Sequence, residues 1–67
     1  MLKLKVTGMT CDHCVRTVTS ALRKLPNVRS VQVRLATGDV DIEGDPDPAS
    51  ALGAVREEGY QAALAGP

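Results

Sequence analysis

The sequence is very poor in aromatic residues: Tyr60 is the one aromatic side chain among 67 residues, and phenylalanine and tryptophan are absent. A chain of this length forms one domain, residues 1–67, which buries only about 60% of the surface that its unfolded form exposes. Its core must therefore be thin and filled by valine, leucine, isoleucine and alanine. A buried substrate pocket of roughly 300 Å³ or more is hard to fit inside such a core. We expect binding at the surface.

Net charge and long apolar runs are also missing. Eight lysine and arginine residues balance eight aspartate and glutamate residues, which argues against a general nucleic-acid or anionic-membrane binder. No apolar run approaches the roughly 20 residues that span a bilayer, and no export signal opens the chain. We expect a cytoplasmic protein without membrane insertion and, because the sequence begins with Met1, a separate molecule.

The charges are unevenly distributed along the chain. Residues 1–34 carry seven basic and one acidic side chain, whereas residues 35–67 carry one basic and seven acidic side chains. This asymmetry has two interpretations. Either two solvated faces of opposite sign help the halves of the chain to pair, or one face is a docking surface.

Cysteine and histidine are scarce, and all three of these residues lie in the segment Gly8-Met9-Thr10-Cys11-Asp12-His13-Cys14. Two cysteines in a reducing compartment indicate metal or redox chemistry rather than a structural disulfide. A thiolate is both a metal ligand and a nucleophile, and the N-terminus of a helix stabilises it. The spacing therefore favours soft-metal binding or dithiol redox chemistry.

Two periodicities flank this segment. Apolar and polar residues alternate over residues 2–7, which is typical of a strand with one buried face. From Cys14 the pattern becomes that of an amphipathic helix, which Pro26 ends. Asn27 then allows the left-handed conformation of a tight turn. The apolar stripe of the helix comprises Cys14, Val18, Ala21, Leu22 and Leu25, and its polar face includes Arg16, Ser20, Arg23 and Lys24.

The second half of the chain predicts a hairpin, a helix and a short strand. Residues 28–35 and 39–43 alternate again around a turn at 36–38, with Val31, Val33 and Leu35 facing inward. Asp47 followed by Pro48 indicates a helix start, because Asp accepts hydrogen bonds from first-turn amides and Pro suits the first helical position. We expect this helix over residues 48–58, with Gly53 allowing close packing on the sheet, and a strand over residues 60–64.

The predicted order is strand, helix, strand, strand, helix, strand. Two right-handed crossovers with a hairpin between them give a four-stranded antiparallel sheet with both helices on one face. The sequence therefore predicts an α+β fold of the split βαβ type.

Three segments make the pattern more specific: Gly8–Cys14 at the junction of strand and helix, Leu25-Pro26-Asn27-Val28 after the helix, and Gly59-Tyr60 near the end. With these segments the sequence resembles the heavy-metal-associated domain and, within that family, the bacterial copper chaperones of the CopZ type. The resemblance covers nearly the whole chain and implies a ferredoxin-like βαββαβ fold. Asn27 stands where the family more often has glycine, which affects turn geometry alone.

The number of ligands favours copper as the metal. Zinc takes four protein ligands in structural sites and three in catalytic sites, whereas a soft ion such as Cu(I) prefers thiolates and accepts two or three ligands. We expect Cys11 and Cys14 to bind Cu(I), with Cys14 the more shielded of the two. An exposed site leaves room for a partner's thiolate, so transfer proceeds by ligand exchange. The resemblance implies the recipients: a copper-transporting P-type ATPase and, in some members, a copper-sensing repressor.

Four more residues are expected around the metal. The resemblance implies that Met9 packs beneath the loop and that the Tyr60 hydroxyl lies near the thiolates; alternatively, Tyr60 is simply a core residue. Thr10 is predicted to help cap the helix. His13 is the one other candidate ligand, but we expect it to be exposed, where it tunes thiolate protonation or acts in a copper-bridged dimer of a protein that is monomeric without metal.

The outward face of the first helix is the predicted docking surface. Arg16, Arg23 and Lys24 lie on this face. We expect them to meet an acidic patch on the receiving domain and to raise the encounter rate more than the affinity.

Other functions remain open. A thiol-disulfide oxidoreductase would use the same two cysteines, although the chain is short for a thioredoxin-like fold and no tryptophan precedes Cys11. A carrier of another thiophilic metal would keep the fold, but Thr10 replaces the aspartate typical of zinc and cadmium relatives, and the export signal of periplasmic mercury binders is absent. A detached regulatory domain of a pump is a further alternative. No catalytic constellation is visible, so the sequence predicts a carrier rather than an enzyme.

Overall fold

Six elements follow one another in the computed structural model, which describes residues 2–65. They are β1 (Leu2–Thr7), α1 (Asp12–Arg23), β2 (Val28–Arg34), β3 (Asp39–Gly44), α2 (Pro48–Glu57) and β4 (Gln61–Leu64). The predicted βαββαβ order is confirmed. Several boundaries differ by one or two residues: α1 begins at Asp12 rather than Cys14, α2 ends one residue earlier than predicted, and β4 begins after Tyr60.

The four strands form one antiparallel sheet in the order β2-β3-β1-β4. Strands β2 and β3 form the predicted hairpin, and β1 lies between β3 and β4. The two edge strands are therefore β2 and β4, and each of them follows a helix in the chain. This order places the end of β1, which leads into the cysteine segment, beside the start of β4.

The core lies between the sheet and the two helices. Alternate residues of the central strands meet one stripe from each helix, and burying each large side chain stabilises the fold by about 1.5–3 kcal/mol. The core residues are Leu4, Val6, Val18, Leu22, Val40, Ile42, Ala51 and Val55.

Strand β2 contributes less to this core than its alternation predicted. Val31, Val33 and Leu35 are only half-buried. The reason is that β2 is an edge strand with one neighbour, β3, so one flank of each side chain stays open to solvent. Strand β2 also ends at Arg34, and Leu35 belongs to the turn.

Helix α2 begins as the sequence predicted. The Asp47 carboxylate accepts a hydrogen bond from the Ser50 amide at 3.1 Å, and Pro48 occupies the first turn. The expectation for Gly53 was wrong: a Cβ atom added there meets nothing within 4 Å. Close packing on the sheet therefore does not require glycine at this position.

The charge asymmetry is partly explained by strand pairing. Basic β1 lies directly beside acidic β3, with Lys3 opposite Asp41 and Lys5 opposite Asp39. Lys5 Nζ lies 3.4 Å from Asp39 Oδ1. Such exposed pairs are worth only about 0–1 kcal/mol, but the register joins the two oppositely charged parts of the chain as the first interpretation predicted.

No helix within residues 2–65 is long and apolar enough to cross a membrane.

Candidate metal centre

The cysteine segment is the connection between β1 and α1. Gly8 has a φ of +99°, a left-handed conformation that favours glycine, and a Cβ atom at this position would lie 3.5 Å from the Tyr60 ring. Cys11 is then the N-cap residue of α1, with extended backbone at φ −158°. The chain therefore turns under Tyr60 and enters the helix at the first cysteine.

The first turn of α1 brings the two cysteines together. The Cys11 carbonyl accepts hydrogen bonds from the amides of Cys14 at 3.0 Å and Val15 at 3.3 Å. The two sulfur atoms lie 3.9 Å apart and are free thiols, since a disulfide would require about 2.05 Å. Cys11 is exposed and Cys14 is partly shielded, which confirms the predicted difference.

The surroundings of Cys14 favour its thiolate. Its pKa falls from the ordinary 9.0 to about 6. Hydrogen bonding from the Thr10 backbone is the largest cause, and the Tyr60 hydroxyl is the second. Burial opposes them and ranks third, and the Cys11 backbone and the Thr10 side chain lower the pKa by less. These contacts therefore favour the thiolate of Cys14 over its thiol.

Tyr60 packs against the core and also lies close to the cysteine segment. It is half-buried and packs against the core, and its hydroxyl interacts with the Cys14 sulfur. That interaction is the main cause of a raised Tyr60 pKa, followed by burial. Because Tyr60 immediately precedes β4, strand pairing between β1 and β4 holds its ring above the cysteine segment.

The prediction that Thr10 caps the helix was wrong. The N-cap position belongs to Cys11, and no side chain makes a capping hydrogen bond there. The Thr10 hydroxyl instead lies 3.9 Å from the Cys14 sulfur. Capping fails because Thr10 is one residue too early, and the same shift places its backbone and hydroxyl beside the sulfur.

Met9 and His13 lie on different sides of the segment. Met9 is half-buried and packs against the core, whereas His13 is exposed. Within residues 2–65, no group of three or more cysteine, histidine, aspartate or glutamate side chains is arranged to hold a metal ion. The structure therefore brings together two sulfur atoms and leaves His13 outside the pair.

The start of α1 is a favourable place for negative charge. Amide groups at a helix N-terminus carry a partial positive charge that stabilises anions. Cys11 occupies the N-cap and Cys14 the first turn, together with Asp12. A complex of two thiolates with a monovalent cation keeps one negative charge, and the helix end stabilises it.

The basic residues of α1 run from its second turn, at Arg16, to its C-terminal end, at Arg23 and the C-cap Lys24. Arg16, Arg23 and Lys24 are exposed. Arg16 and Lys24 line a shallow groove with His13, and Glu58 from the end of α2 borders it. The sequence reasoning missed Glu58 because only the packing of α2 beside α1 brings it to this face.

The sequence model of the Heavy-metal-associated domain matches residues 3–61. The chain belongs to this family. It is 38% identical over 63 residues to the copper chaperone CopZ of Bacillus subtilis, a match that covers 90% of this chain and 91% of the chaperone. The N-terminal domain of PacS from Synechocystis PCC6803 has a TM-score of 0.91 and 29% identity, covering 97% of this chain and 96% of that domain.

A longer relative matches over one part of its length. Mercuric reductase of Serratia marcescens is 45% identical over 67 residues, which is 97% of this chain but 15% of the reductase. This heavy-metal-associated domain is therefore similar to a complete small chaperone and to a short section of a much larger enzyme. The predicted family and fold are both confirmed.

Proposed function

We propose that this chain is a cytoplasmic copper carrier, not an enzyme, in which residues 1–67 form one domain. It binds Cu(I) through the thiolates of Cys11 and Cys14 and passes the ion by ligand exchange to the metal-binding domain of a copper-transporting P-type ATPase. The observation that carries this proposal is the pair of free sulfur atoms 3.9 Å apart at the start of α1. Free thiols persist in a reducing compartment, which supports the cytoplasm.

The sulfur separation allows both atoms to bind one ion. With metal–sulfur bonds of about 2.3 Å, as for thiolates on zinc, two sulfur atoms on one ion lie at most about 4.6 Å apart, and the observed separation of 3.9 Å is within that limit. Cys11 is exposed, which leaves room beside the pair for a third thiolate from a partner.

The two cysteines have different parts in the transfer. A partner thiolate approaches on the exposed side and adds to the ion, giving a three-coordinate complex. The exposed Cys11 is displaced first, because Cys14 is partly shielded and its thiolate is favoured by Tyr60 and Thr10. The second thiolate of the partner then replaces Cys14, and the ion is never released to solvent. The apo protein is monomeric in this scheme.

Two features support an ATPase domain as the recipient. The fold is shared with a copper-binding domain of a P-type ATPase, with a TM-score of 0.90 and 27% identity, so carrier and recipient present similar sites to one another. Arg16, Arg23 and Lys24 are exposed along the helix that begins at the cysteines and suit an acidic partner. A copper-sensing repressor is a second candidate recipient for the same ion.

One observation favours a second metal. The 45% identity to a mercuric reductase covers the whole cysteine segment, and two thiolates also suit Hg(II), a soft ion with the same preference for sulfur. The alternative of a dithiol oxidoreductase is less well supported. Such an enzyme needs an accessible thiolate of low pKa, whereas Cys14, whose pKa is lowered, is the partly shielded cysteine.

An anaerobic competition titration tests the proposal. The reduced protein competes for Cu(I), Hg(II) and Zn(II) with a chromogenic chelator of each ion, beside the variants Cys11→Ser, Cys14→Ser and His13→Ala. We expect one tightly bound Cu(I), loss of binding in both cysteine variants and retention in His13→Ala. Weak Cu(I) binding would contradict the proposal, and preference for Hg(II) would favour the second metal.

Transfer is measured separately. The copper-loaded protein is mixed with an isolated ATPase domain, and the metal on each protein is followed after rapid separation. The same mixture without a chelator is the reference. Transfer that persists in the presence of a chelator too weak to take copper from either protein indicates direct exchange. Transfer that stops under those conditions indicates release of free ion.

A further inference from the structure

The outer edge of β4 has a backbone hydrogen-bonding pattern that follows from the register of the sheet. Val6 donates its amide to Gly38 on the β3 side, and Lys3 accepts a bond from Ala65 on the β4 side. Even-numbered residues of β1 therefore bond toward β3 and odd-numbered residues toward β4. In the β1–β4 pairing, where Lys5 is opposite Ala63, the hydrogen-bonded residues of β4 are consequently the odd-numbered ones.

The even-numbered residues of β4 direct their amides and carbonyls away from the sheet. These residues are Ala62 and Leu64, and Leu64 is 53% exposed, the one exposed large hydrophobic side chain in the described part of the chain. Strand β4 consists of Gln61, Ala62, Ala63 and Leu64 and carries no charge. An uncharged edge of this kind is a template for pairing with another strand.

The opposite edge of the sheet is protected in a different way. Strand β2 has an irregular register between Val28 and Ser30, and Arg29 and Arg34 are exposed on it. Bulges and charges both discourage pairing between edges. Strand β4 has neither a bulge nor a charged side chain.

Arg56 supplies the missing protection. This residue lies in the last turn of α2, and its guanidinium donates a hydrogen bond of 3.1 Å to the Ala62 carbonyl. That carbonyl is one of the outward-facing groups of β4. Within residues 2–65, this is the one side-chain hydrogen bond to an outward-facing backbone group of β4.

We propose that the β4 edge is a self-association surface and that Arg56 keeps it closed by occupying the Ala62 carbonyl. The occupant of the open edge is β4 of a second copy. In a two-fold antiparallel arrangement Ala62 faces Leu64 of the second copy, and the four outward groups of each strand make four hydrogen bonds between them. The absence of charge on β4 means that identical strands do not repel one another, and each exposed Leu64 gains an apolar neighbour.

Removal of the Arg56 side chain tests the proposal. We expect Arg56→Ala to strengthen self-association about tenfold or more, since the edge regains an acceptor for each of two symmetric hydrogen bonds. Arg23→Ala is the control, because Arg23 is an exposed arginine in the last turn of α1. Sedimentation velocity of metal-free, reduced protein over a concentration series measures the dimer, and excess chelator and reductant exclude metal and disulfide bridging.

A second substitution identifies the surface. The Leu64 amide points outward and makes no bond to β1, so Leu64→Pro removes an edge donor while leaving the β1–β4 bonds in place. Adding Leu64→Pro to Arg56→Ala should restore the monomer, with circular dichroism confirming that the fold is kept. An Arg56→Ala protein that stays monomeric over the full series, or a dimer that survives Leu64→Pro, would overturn the proposal.

Discussion

The hydroxyl of Thr10 lies 3.9 Å from the sulfur of Cys14, yet it is the smallest of the causes that lower the Cys14 pKa. The Thr10 backbone has the largest effect and the Tyr60 hydroxyl the second. The two side chains can therefore be removed separately while the backbone contribution stays. Their effects on the thiolate should differ in size.

We expect Tyr60→Phe to raise the pKa of Cys14 more than Thr10→Val does, and Thr10→Val to leave most of the lowering in place. The ultraviolet absorbance of the thiolate against pH measures this in a Cys11→Ser background, where Cys14 is the one thiol. Tyr60→Phe should also weaken Cu(I) retention without changing the fold. Equal pKa values in the two variants would show that the tyrosine hydroxyl has no special role.

The stability of the metal-free protein should rise with pH because of Cys14. Its pKa is 9.0 when unperturbed and about 6 in the folded protein, so the unfolded chain binds more protons between these values. Stability therefore increases as the pH rises from about 6 to 9, and the contribution is lost as the pH falls through 6. Urea unfolding of reduced protein at several pH values measures the slope. Cys14→Ser should remove this part of the slope, and an unchanged slope would mean that the folded pKa is not lowered.

Replacement by alanine should change the stability of the protein in opposite directions at two glycines. At Gly53 a Cβ atom meets nothing within 4 Å, so Gly53→Ala should stabilise the protein by up to about 1 kcal/mol through helix propensity. At Gly38, with φ +79°, a Cβ atom would overlap the Val6 carbonyl oxygen, so Gly38→Ala should destabilise by more than that. Urea unfolding at one pH compares them. A destabilised Gly53→Ala protein would contradict the finding that this position is open.

The fold could be predicted from the sequence because each element is marked locally. Alternation identified the strands, the Cys14–Leu25 stripe identified α1, and Asp47-Pro48 marked the start of α2. The errors came from tertiary context. The valines of β2 alternate like those of a central strand, and only the strand order makes β2 an edge. Gly53 could not be interpreted without knowing the distance between α2 and its neighbours.

The position of the two sulfur atoms could be predicted from the sequence, but the positions of the residues around them could not be predicted as well. The spacing of Cys11 and Cys14 was sufficient to place both sulfur atoms at one helix end. The role of Thr10 depended on which residue occupies the N-cap, a difference of one position that the sequence does not define. The position of Tyr60 over Gly8 depends on the pairing of β1 with β4, since 52 positions separate these residues along the chain.

The basic face of α1 gives a prediction about transfer kinetics. Reversing two of its charges, in the double variant Arg16→Glu with Lys24→Glu, should slow Cu(I) transfer to an acidic ATPase domain by about tenfold or more at low ionic strength. The effect should shrink as salt rises, since exposed charges are screened over about 10 Å at 0.1 M salt. Stopped-flow mixing over a salt series measures the association rate.

A double variant on the opposite side of the molecule is the control. Arg34→Glu with Lys3→Glu replaces the same two residue types and changes the net charge equally, but these residues lie on the open face of the sheet, away from the helices. If both double variants slow transfer to the same extent, net charge alone is responsible. If neither alters the rate or its salt dependence, the basic residues of α1 form only a solvated face. A selective effect of the α1 variant, with Cu(I) affinity unchanged, would place the docking surface on the exposed basic face of α1.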